Sequence, residues 1–334
     1  MVPSLVSANV ASVTPKSLMN WSLMSSVSTF IFFIVPNYRL MEIIHDSGLL
    51  PKGVLNMVTG FGEEAGAPLA EHPMVDKVAF TGSTEVGKII TKAAAGNLKK
   101  VSLELGGKSP TIVFPDADVD AAIAGAASAI FFNHGQCCCA GSRLFAHEKV
   151  FDKVSEGIAK IAENIKVGPG MEASTEMGPL VSDEQFQKVS GYIESGKSEG
   201  GEVVAGGKYD NSSGGHFVHP TVFAKTNADM KLVKEEIFGP VVCAQPFSDE
   251  SLEKIAEEAN NTSFGLAASV WTKDISTAHK LAAKIRAGTV WVNCHNIFDA
   301  SLPFGGYKES GWGREMGHEV LKNYTEVKAV TVNL

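Results

Sequence analysis

The sequence has little of what marks several specialised classes of protein. Cysteine occurs five times in 334 residues, an odd number without the spacing of a disulfide framework. Charged residues make up 20%, and a net charge of -8 gives no reason to expect a nucleic acid or an anionic membrane as partner. The apolar run from Ser28 to Val35 is too short for a membrane span, which needs about 20 residues. These shortages favour a globular protein of a reducing compartment, and we expect a cytoplasmic one.

The composition that remains is ordinary for a folded domain, with 44% hydrophobic residues and enough length for two domains. The first 35 residues differ from the rest, because Lys16 is their only charged residue and eight of them are serines. A secretory signal is disfavoured by the absence of a small-residue cleavage site after the apolar run. From motif order we predict four segments: an atypical segment 1–38, part of a cofactor-binding domain 39–105, a catalytic domain 106–308 and a C-terminal segment 309–334.

Apolar periodicity predicts an α/β fold. From Arg39 onward, short apolar strands such as Val54–Val58 and Val75–Phe80 alternate with helical stretches, which is typical of a parallel sheet covered by helices. Longer helices are predicted over Val119–Phe132 and from Val150 to Ile165. The alternating residues Tyr324–Val332 predict an edge strand. We therefore expect two successive α/β units with no low-complexity linker between them.

Three consecutive thiols stand out at Cys137, Cys138 and Cys139, just after an apolar helix and among small residues. A zinc site is disfavoured, because three adjacent side chains cannot converge on one ion, and we expect no metal. A disulfide between neighbours would be strained. A small buried apolar role remains open for any one of them, whereas a thiol nucleophile would need a base nearby. Glu104, followed by Gly106 and Gly107 with room for close approach, offers a carboxylate for that purpose.

Two further motifs have residues that suit an anionic or aromatic ligand. A strand runs into Thr81–Lys88 through Gly82 and Ser83, which leaves the first N–H groups of a helix free for a phosphate. The motif is close to a P-loop, but Ile89 stands where a Ser or Thr hydroxyl is needed for Mg²⁺, so a nucleotide hydrolase is disfavoured. A plain capped helix start remains open. Later, Glu236 and Phe238 alternate before a rigid Gly-Pro. Extended geometry would place both on one face as a clamp for a ribose hydroxyl and a flat ring, and a surface acid beside a core Phe remains open.

The cysteine stretch and the Glu104 segment resemble the two active-site signatures of the NAD(P)-dependent aldehyde dehydrogenases. In the family's pattern, Phe131 leads to the nucleophile at Cys138, and Cys137 and Cys139 become packing neighbours. The resemblance implies oxidation of an aldehyde to a carboxylic acid through a cysteine thiohemiacetal and a thioester. It also implies that Glu104 activates water to release the acid.

The same resemblance assigns the cofactor contacts, with NAD or NADP as the cofactor. It places the pyrophosphate against Gly82 and Ser83 and the nicotinamide ribose and ring beside Glu236 and Phe238. Gln185 falls near a family position that can touch a cofactor ribose. The fold it implies is a partial Rossmann-type cofactor domain, an α/β catalytic domain and a C-terminal oligomerisation strand.

The C-terminal third resembles the substrate side of the family. Phe298 and Phe304 are expected to give the aldehyde tunnel an aromatic wall. The amino-acid sequence of this stretch most resembles that of phenylacetaldehyde-type dehydrogenases. In relatives the tail joins a neighbouring subunit's sheet, which implies a homodimer or homotetramer.

Two family features are missing from the sequence. The Pro-Trp-Asn segment that supplies an oxyanion donor is absent, since Asn20-Trp21 has the reverse order, and so is the Lys-Pro-Ser-Glu strand that grips the adenosine ribose. We therefore expect an N-terminally truncated member of the family. The alternative to a working dehydrogenase is a catalytically deficient member that only folds or associates with other subunits.

Overall fold

The computed structural model describes residues 7–12, 25–28, 34–212, 214–248 and 251–334. The chain divides into two compact units. The first comprises Met1–Leu105, Asp299–Gly306 and Ser310–Leu334, and the second comprises Gly106–Phe298 and Tyr307–Glu309. The four-segment division made from the sequence stays a prediction. Most of segment 1–38, including part of its apolar run, lies outside the described residues.

The strands are short, as is usual in α/β domains. In chain order they are β1 (Ser7–Ser12), β2 (Ser25–Ser28), β3 (Leu55–Met57), β4 (Lys77–Thr81), β5 (Lys100–Glu104), β6 (Pro110–Val113), β7 (Arg143–His147), β8 (Glu202–Ala205), β9 (Tyr209–Asp210), β10 (Phe217–Val218), β11 (Thr221–Ala224), β12 (Val241–Phe247), β13 (Ala267–Trp271), β14 (Thr289–Val292) and β15 (Gly311–Trp312).

Helices alternate with these strands through most of the chain. They are α1 (Ile34–Ser47), α2 (Ala67–Glu71), α3 (Thr84–Ala94), α4 (Val119–Phe131), α5 (Phe151–Asn164), α6 (Asp183–Ser198), α7 (Lys231–Lys234), α8 (Leu252–Asn260), α9 (Ile275–Lys284) and α10 (Leu321–Tyr324). Single helical turns lie at Gly62–Gly66, Phe132–Gly135, Lys308–Ser310 and His318–Val320.

The first unit is built on a six-stranded sheet in the order β15-β5-β4-β1-β2-β3. Strands β4 and β5 are parallel, with Thr81 opposite Glu104 in the register. Val78, Phe80 and Leu103 are buried in the core of this unit. Because β4 and β5 end side by side, Ser83 and Glu104 both lie at the carboxyl ends of neighbouring strands, where α/β sheets commonly bind ligands.

The second unit is built on a seven-stranded sheet in the order β14-β13-β6-β7-β12-β11-β8. Neighbouring strands are parallel except for β8, which runs antiparallel to β11. The adjacent strands β6, β7 and β12 are entered from the segments that hold Gly107, Cys138 and Glu236 respectively. Their parallel direction therefore brings these three segments to the same edge of the sheet, at the amino ends of the strands.

Amphipathic helices cover this second sheet. In α5, Val154, Ile158 and Ala162 recur every four residues and are buried, which is the spacing of one helix face. Helix α4 begins at Asp118, whose carboxylate accepts the N–H of Ala121 at 3.1 Å. Both helices lie where apolar periodicity predicts them. In the part of the chain that the structure describes, none of the helices is long and apolar enough to cross a membrane.

The C-terminal strand predicted over Tyr324–Val332 is not formed within the single chain. Tyr324 ends helix α10, and residues 325–334 belong to no strand. A strand needs a neighbouring edge for its backbone hydrogen bonds, and none of the described strands β1–β15 is paired with the tail. Pairing with another subunit stays a prediction.

Candidate active site

A turn with left-handed backbone conformation lies just before the three cysteines. Helix α4 ends where Asn133, His134 and Gly135 adopt positive φ values of 48°, 62° and 66°, which reverse the chain direction. The next turn runs from Cys137 to Ala140 and is closed by a 3.0 Å hydrogen bond from the Ala140 N–H to the Cys137 carbonyl. Cys138 therefore sits at a central position of a tight turn, as the sequence predicts.

Side chains from the preceding turn brace this loop. The Asn133 amide donates to the Gln136 carbonyl at 2.8 Å. The Nε2 atom of His134 accepts the Gly178 N–H at 3.0 Å, and Oε1 of Gln136 accepts the Val181 N–H at 3.1 Å. His134 thus acts as a brace for the loop, the structural role that its place near a helix end favours.

Gly107 brings the thiol turn next to Glu236. A β-carbon on Gly107 would overlap the carbonyl oxygen of Cys138, so only glycine permits this approach. The Gly107 N–H donates to Oε1 of Glu236 at 2.9 Å, and a β-carbon on Gly106 would overlap the other carboxylate oxygen. Two glycines therefore let a backbone carbonyl and a carboxylate pack against one short segment.

The three thiols share hydrogen bonds. The sulfur atoms of Cys137 and Cys139 lie 3.5 Å apart, and the Cys139 thiol lies 3.2 Å from Oδ1 of Asn296. A hydrogen bond from the Cys138 thiol lowers the pKa of Cys137. The bond that Cys138 gives to Cys137 raises the pKa of Cys138, and burial adds to that shift. The Cys138 thiol is therefore harder to ionise than a free thiol, and it needs a base or a proton transfer within the triplet to become the nucleophile.

The segment of Glu236 and Phe238 borders the same small cavity as Cys137 and Gly107. Phe238 has a φ of 57°, a left-handed conformation that is uncommon for an aromatic residue. Gln185 holds it there, since its Nε2 amide lies 3.0 Å from the Ile237 carbonyl and 2.7 Å from the Phe238 carbonyl. Burial raises the pKa of Glu236, and the N–H of Gly107 acts in the opposite direction.

Lys108 also supports the segment that holds Glu236. Its side chain is 1% exposed, and Nζ donates to the Leu232 carbonyl at 2.7 Å, in the short helix α7 that leads to Glu236. Burial lowers the pKa of Lys108 to about 8. The Gly106–Lys108 stretch therefore grips the Glu236 segment at two points.

In the first unit, Glu104 is 6% exposed, and its Oε2 has no hydrogen-bond partner among the described residues. Burial and the neighbouring Glu315, opposed by Arg314, together raise the pKa of Glu104 to about 8. A carboxyl group of this kind exchanges a proton near neutral pH, which suits a general base.

The phosphate motif of the first unit forms a capped helix start. The Ser83 hydroxyl accepts the Val86 N–H at 3.2 Å at the beginning of α3. The Gly82 N–H donates to the Glu104 carbonyl at 3.0 Å, and a β-carbon on Gly82 would overlap the Phe80 ring. The capped helix and a phosphate-binding role are compatible, because a cap uses only one of the free N–H groups.

The two predicted tunnel residues fall in different units. Phe298 belongs to the second unit, is 49% exposed and packs edge-on against Trp291 with ring centres 5.6 Å apart. Phe304 is buried in the first unit, and its N–H donates to the Glu315 carbonyl at 2.8 Å. Within single units, the structure brings together the predicted site residues Cys138, Gln185, Glu236 and Phe238, and separately Gly82, Ser83 and Glu104.

Sequence reasoning missed two residues that contact this machinery. His295 makes a hydrogen bond to the Cys139 carbonyl, although the two residues are 156 positions apart. Glu315 acts electrostatically on Glu104, and it follows the glycine-rich stretch near the C-terminus. In the sequence, His295 is visible only as a polar residue shortly after an apolar strand. The order of residues along the chain does not show that it bonds to the Cys139 carbonyl.

We predict that Gly107→Ala slows alkylation of the Cys138 thiol by iodoacetamide roughly tenfold, because displacement of a reacting group by about 1 Å is costly. The added β-carbon must push the Cys138 carbonyl away. The measurement is the second-order rate of carbamidomethylation of the peptide that holds Cys138, followed by mass spectrometry.

The matched control is Gly191→Ala in helix α6, where a β-carbon would meet no atom within 4 Å. The control should leave the alkylation rate unchanged and stabilise the helix slightly. Equal rates for Gly107→Ala and the unaltered protein would show that the glycine does not hold the thiol turn in place.

Comparison with known proteins identifies relatives over most of the chain. The aldehyde dehydrogenase family profile matches residues 34–330. A phenylacetaldehyde dehydrogenase of Pseudomonas fluorescens is 49% identical over 88% of this chain, and the mitochondrial aldehyde dehydrogenase of Homo sapiens is 50% identical over 88%. The chain spans 58% and 56% of the lengths of these two relatives.

A solved structure gives the same result for the fold. The NAD+ complex of an aldehyde dehydrogenase from Bacillus cereus has a TM-score of 0.87 and 50% identity, and the match covers 93% of this chain and 62% of that one. The expected aldehyde dehydrogenase-like α/β fold is confirmed. On sequence and fold together, the chain belongs to the aldehyde dehydrogenase family.

Proposed function

We propose that this protein oxidises an aldehyde to a carboxylic acid with NAD(P)+, using Cys138 as the nucleophile. One observation carries the proposal: Gly107 packs against the Cys138 carbonyl and donates its N–H to Glu236, so the turn that holds Cys138 and the Glu236 segment meet at one glycine. A dehydrogenase of this class needs a nucleophile and a carboxylate that can bind a ribose on neighbouring segments, and Gly107 joins two such segments here.

The residues present fit a dinucleotide. The capped start of α3 beside Gly82 and Ser83 offers N–H groups to a pyrophosphate, and the Glu236 carboxylate offers acceptors to ribose hydroxyls. Phe238 offers an aromatic face, with Gln185 fixing its backbone. Bound NAD(P)+ supplies the hydride acceptor.

The chemistry on the protein begins at Cys138. Its thiolate adds to the aldehyde carbon, and the carbonyl oxygen becomes an oxyanion. The backbone N–H of Cys138 is the donor that we assign to this oxyanion, and one such donor contributes about 3–4 kcal/mol to the transition state. Loss of hydride from the adduct leaves a thioester on Cys138.

Glu104 completes the cycle as the base. Its carboxylate takes a proton from the water that attacks the thioester, and the carboxylic acid leaves as the thiol is restored. The burial that raises its pKa to about 8 makes it a stronger base once it is ionised.

The substrate that we propose is an aldehyde with an apolar, aromatic body. The half-exposed Phe298, packed on Trp291, supplies an apolar surface for it, and buried Phe304 is the second proposed contact. Likeness to a phenylacetaldehyde dehydrogenase favours an arylacetaldehyde. We propose further that the chain works as a homodimer or homotetramer in the cytoplasm.

The direct test is NAD(P)H formation from phenylacetaldehyde, followed by absorbance. We predict that Cys138→Ala lowers the rate by at least a thousandfold, because the covalent step is lost. The matched controls Cys137→Ala and Cys139→Ala should retain activity within about tenfold, since they remove neighbours of the nucleophile. Retention of full activity by Cys138→Ala would refute the assignment.

The alternative is a family member that only folds or associates with other subunits. It predicts no rise of the melting temperature with millimolar NAD+ or NADP+ and no NAD(P)H formation. The proposed dehydrogenase predicts stabilisation that grows with cofactor concentration.

A second prediction concerns pH. Because the pKa of Glu104 is raised to about 8, its base form is lost as pH falls, and hydrolysis of the thioester should rise with pH and level off above about 8. Glu104→Gln should hydrolyse the thioester slowly at every pH, whereas the exposed control Glu156→Gln should keep the profile. Single-turnover release of the acid measures this step.

The same shift affects stability with a definite sign. Between pH 4.5 and 8 the folded state binds more protons at Glu104 than the unfolded state, so the free energy of unfolding falls as pH rises. Glu104→Gln should remove this fall. A variant that loses stability with pH as steeply as the unaltered protein would contradict the raised pKa.

A further inference from the structure

His295 makes hydrogen bonds through both ring nitrogens. Its Nε2 lies 2.9 Å from the Cys139 carbonyl oxygen, and its Nδ1 lies 3.0 Å from the hydroxyl of Ser269. Ser269 is fully buried in strand β13, 3.3 Å from the Thr111 hydroxyl in the adjacent strand β6. The ring is therefore tied to the centre of the sheet on one side and to the thiol turn on the other.

The partners determine the tautomer of the ring. A carbonyl oxygen only accepts hydrogen bonds, so Nε2 must carry the proton that is donated to Cys139. In the neutral ring Nδ1 then accepts, and the Ser269 hydroxyl donates to it. Burial lowers the pKa of His295, which keeps this neutral form at neutral pH.

A chain of backbone hydrogen bonds leads from this ring to Cys138. The Cys139 carbonyl and the Ala140 N–H belong to the same peptide group. That N–H donates to the Cys137 carbonyl at 3.0 Å. The Cys137 carbonyl and the Cys138 N–H in turn belong to one peptide group. Each bond polarises the next, and cooperative strengthening of about 10–30% per bond is expected in such a chain.

The neighbours of His295 leave it little freedom to move. The Trp291 ring lies 4.6 Å away, centre to centre, and its own Nε1 donates to the Ile297 carbonyl at 2.8 Å. The next residue, Asn296, accepts a hydrogen bond from the Cys139 thiol. The loop from Trp291 to Ile297 therefore holds Cys139 by its carbonyl and by its side chain.

We propose that His295 is a positioning residue for acyl transfer: through the turn at Cys137–Ala140 it aligns and polarises the Cys138 N–H toward the oxyanion. The inference rests on the proposed role of Cys138 as nucleophile and names the residue that sets its oxyanion donor. His295 itself touches neither the substrate nor the cofactor in this role.

Two reagents separate this role from simple support of the thiol, and neither needs the cofactor. With p-nitrophenyl acetate, the Cys138 thiolate adds to the ester carbonyl, an oxyanion forms, and p-nitrophenolate leaves. With iodoacetamide, the same sulfur displaces iodide and no oxyanion forms. A residue that acts on the oxyanion donor should affect the first reaction alone.

We predict that His295→Phe slows acylation of Cys138 about tenfold and leaves its alkylation unchanged within twofold. A lost oxyanion donor costs about 10²–10³, and a weakened one should cost less. His295→Gln keeps an N–H near the Nε2 position and should restore most of the acylation rate. The matched control His279→Phe, on the exposed face of α9, should change neither rate.

Ser269→Ala is a milder variant that removes the partner of Nδ1 and keeps the ring, and it should slow acylation a few-fold without affecting alkylation. It takes the place of His295→Phe if that variant does not fold, as judged by its melting curve. The proposal is overturned if acylation and alkylation fall together, if neither changes, or if Gln restores nothing.

Failure of the proposed function would give a different experimental result. If the unaltered protein is acylated at another cysteine, as mapped by peptide mass spectrometry, Cys138 is not the nucleophile. If Cys138 is acylated and His295→Phe reacts at the normal rate, the nucleophile stands and the role of His295 falls.

Discussion

The close packing of a carbonyl and a carboxylate against Gly106 and Gly107 is the constraint on which the site depends. Without side chains, these residues admit the Cys138 carbonyl on one side and the Glu236 carboxylate on the other, while the Gly107 N–H binds that carboxylate. The three segments involved lead into the adjacent parallel strands β6, β7 and β12. Sheet topology therefore brings them to one edge, and the glycines set how closely they approach.

Burial decides the charge state of the polar groups nearby. It raises the pKa of Glu104 and Glu236 and lowers that of Lys108 and His295. Each of these groups is shifted toward its neutral form, since a charge loses its hydration in a protein interior. Groups that titrate near neutral pH are useful in a reaction that moves protons, and they weaken the folded state whenever they must be charged.

Local patterns allowed much of the fold to be predicted from sequence. Helices α4 and α5 lie where apolar periodicity places them, and Cys138 lies on the expected turn because the residues before it favour a reversal. Sequence motifs also placed Glu104 and Ser83 at the ends of strands. These features depend on neighbours in the sequence, and a single chain shows them directly.

Contacts between distant segments could not be predicted in this way. The bond between His295 and the Cys139 carbonyl joins residues 156 positions apart, and the tie between Gly107 and Glu236 joins residues 129 apart. The expected strand at Tyr324–Val332 was a local inference; residues 325–334 form no strand in the single chain, and pairing with another subunit stays a prediction. Alternation of apolar and polar residues indicates the two faces of a strand, but it does not show which strand pairs with it.

The most direct test of the account is to trap the acyl group on its sulfur. The protein with Glu104→Gln is mixed with phenylacetaldehyde and NAD+, quenched in acid and digested, and the peptide carrying the three cysteines is fragmented in the mass spectrometer. The account predicts one phenylacetyl group, attached to Cys138. An acyl group on Cys137 or Cys139, or no acyl group under conditions in which NADH forms, would contradict it.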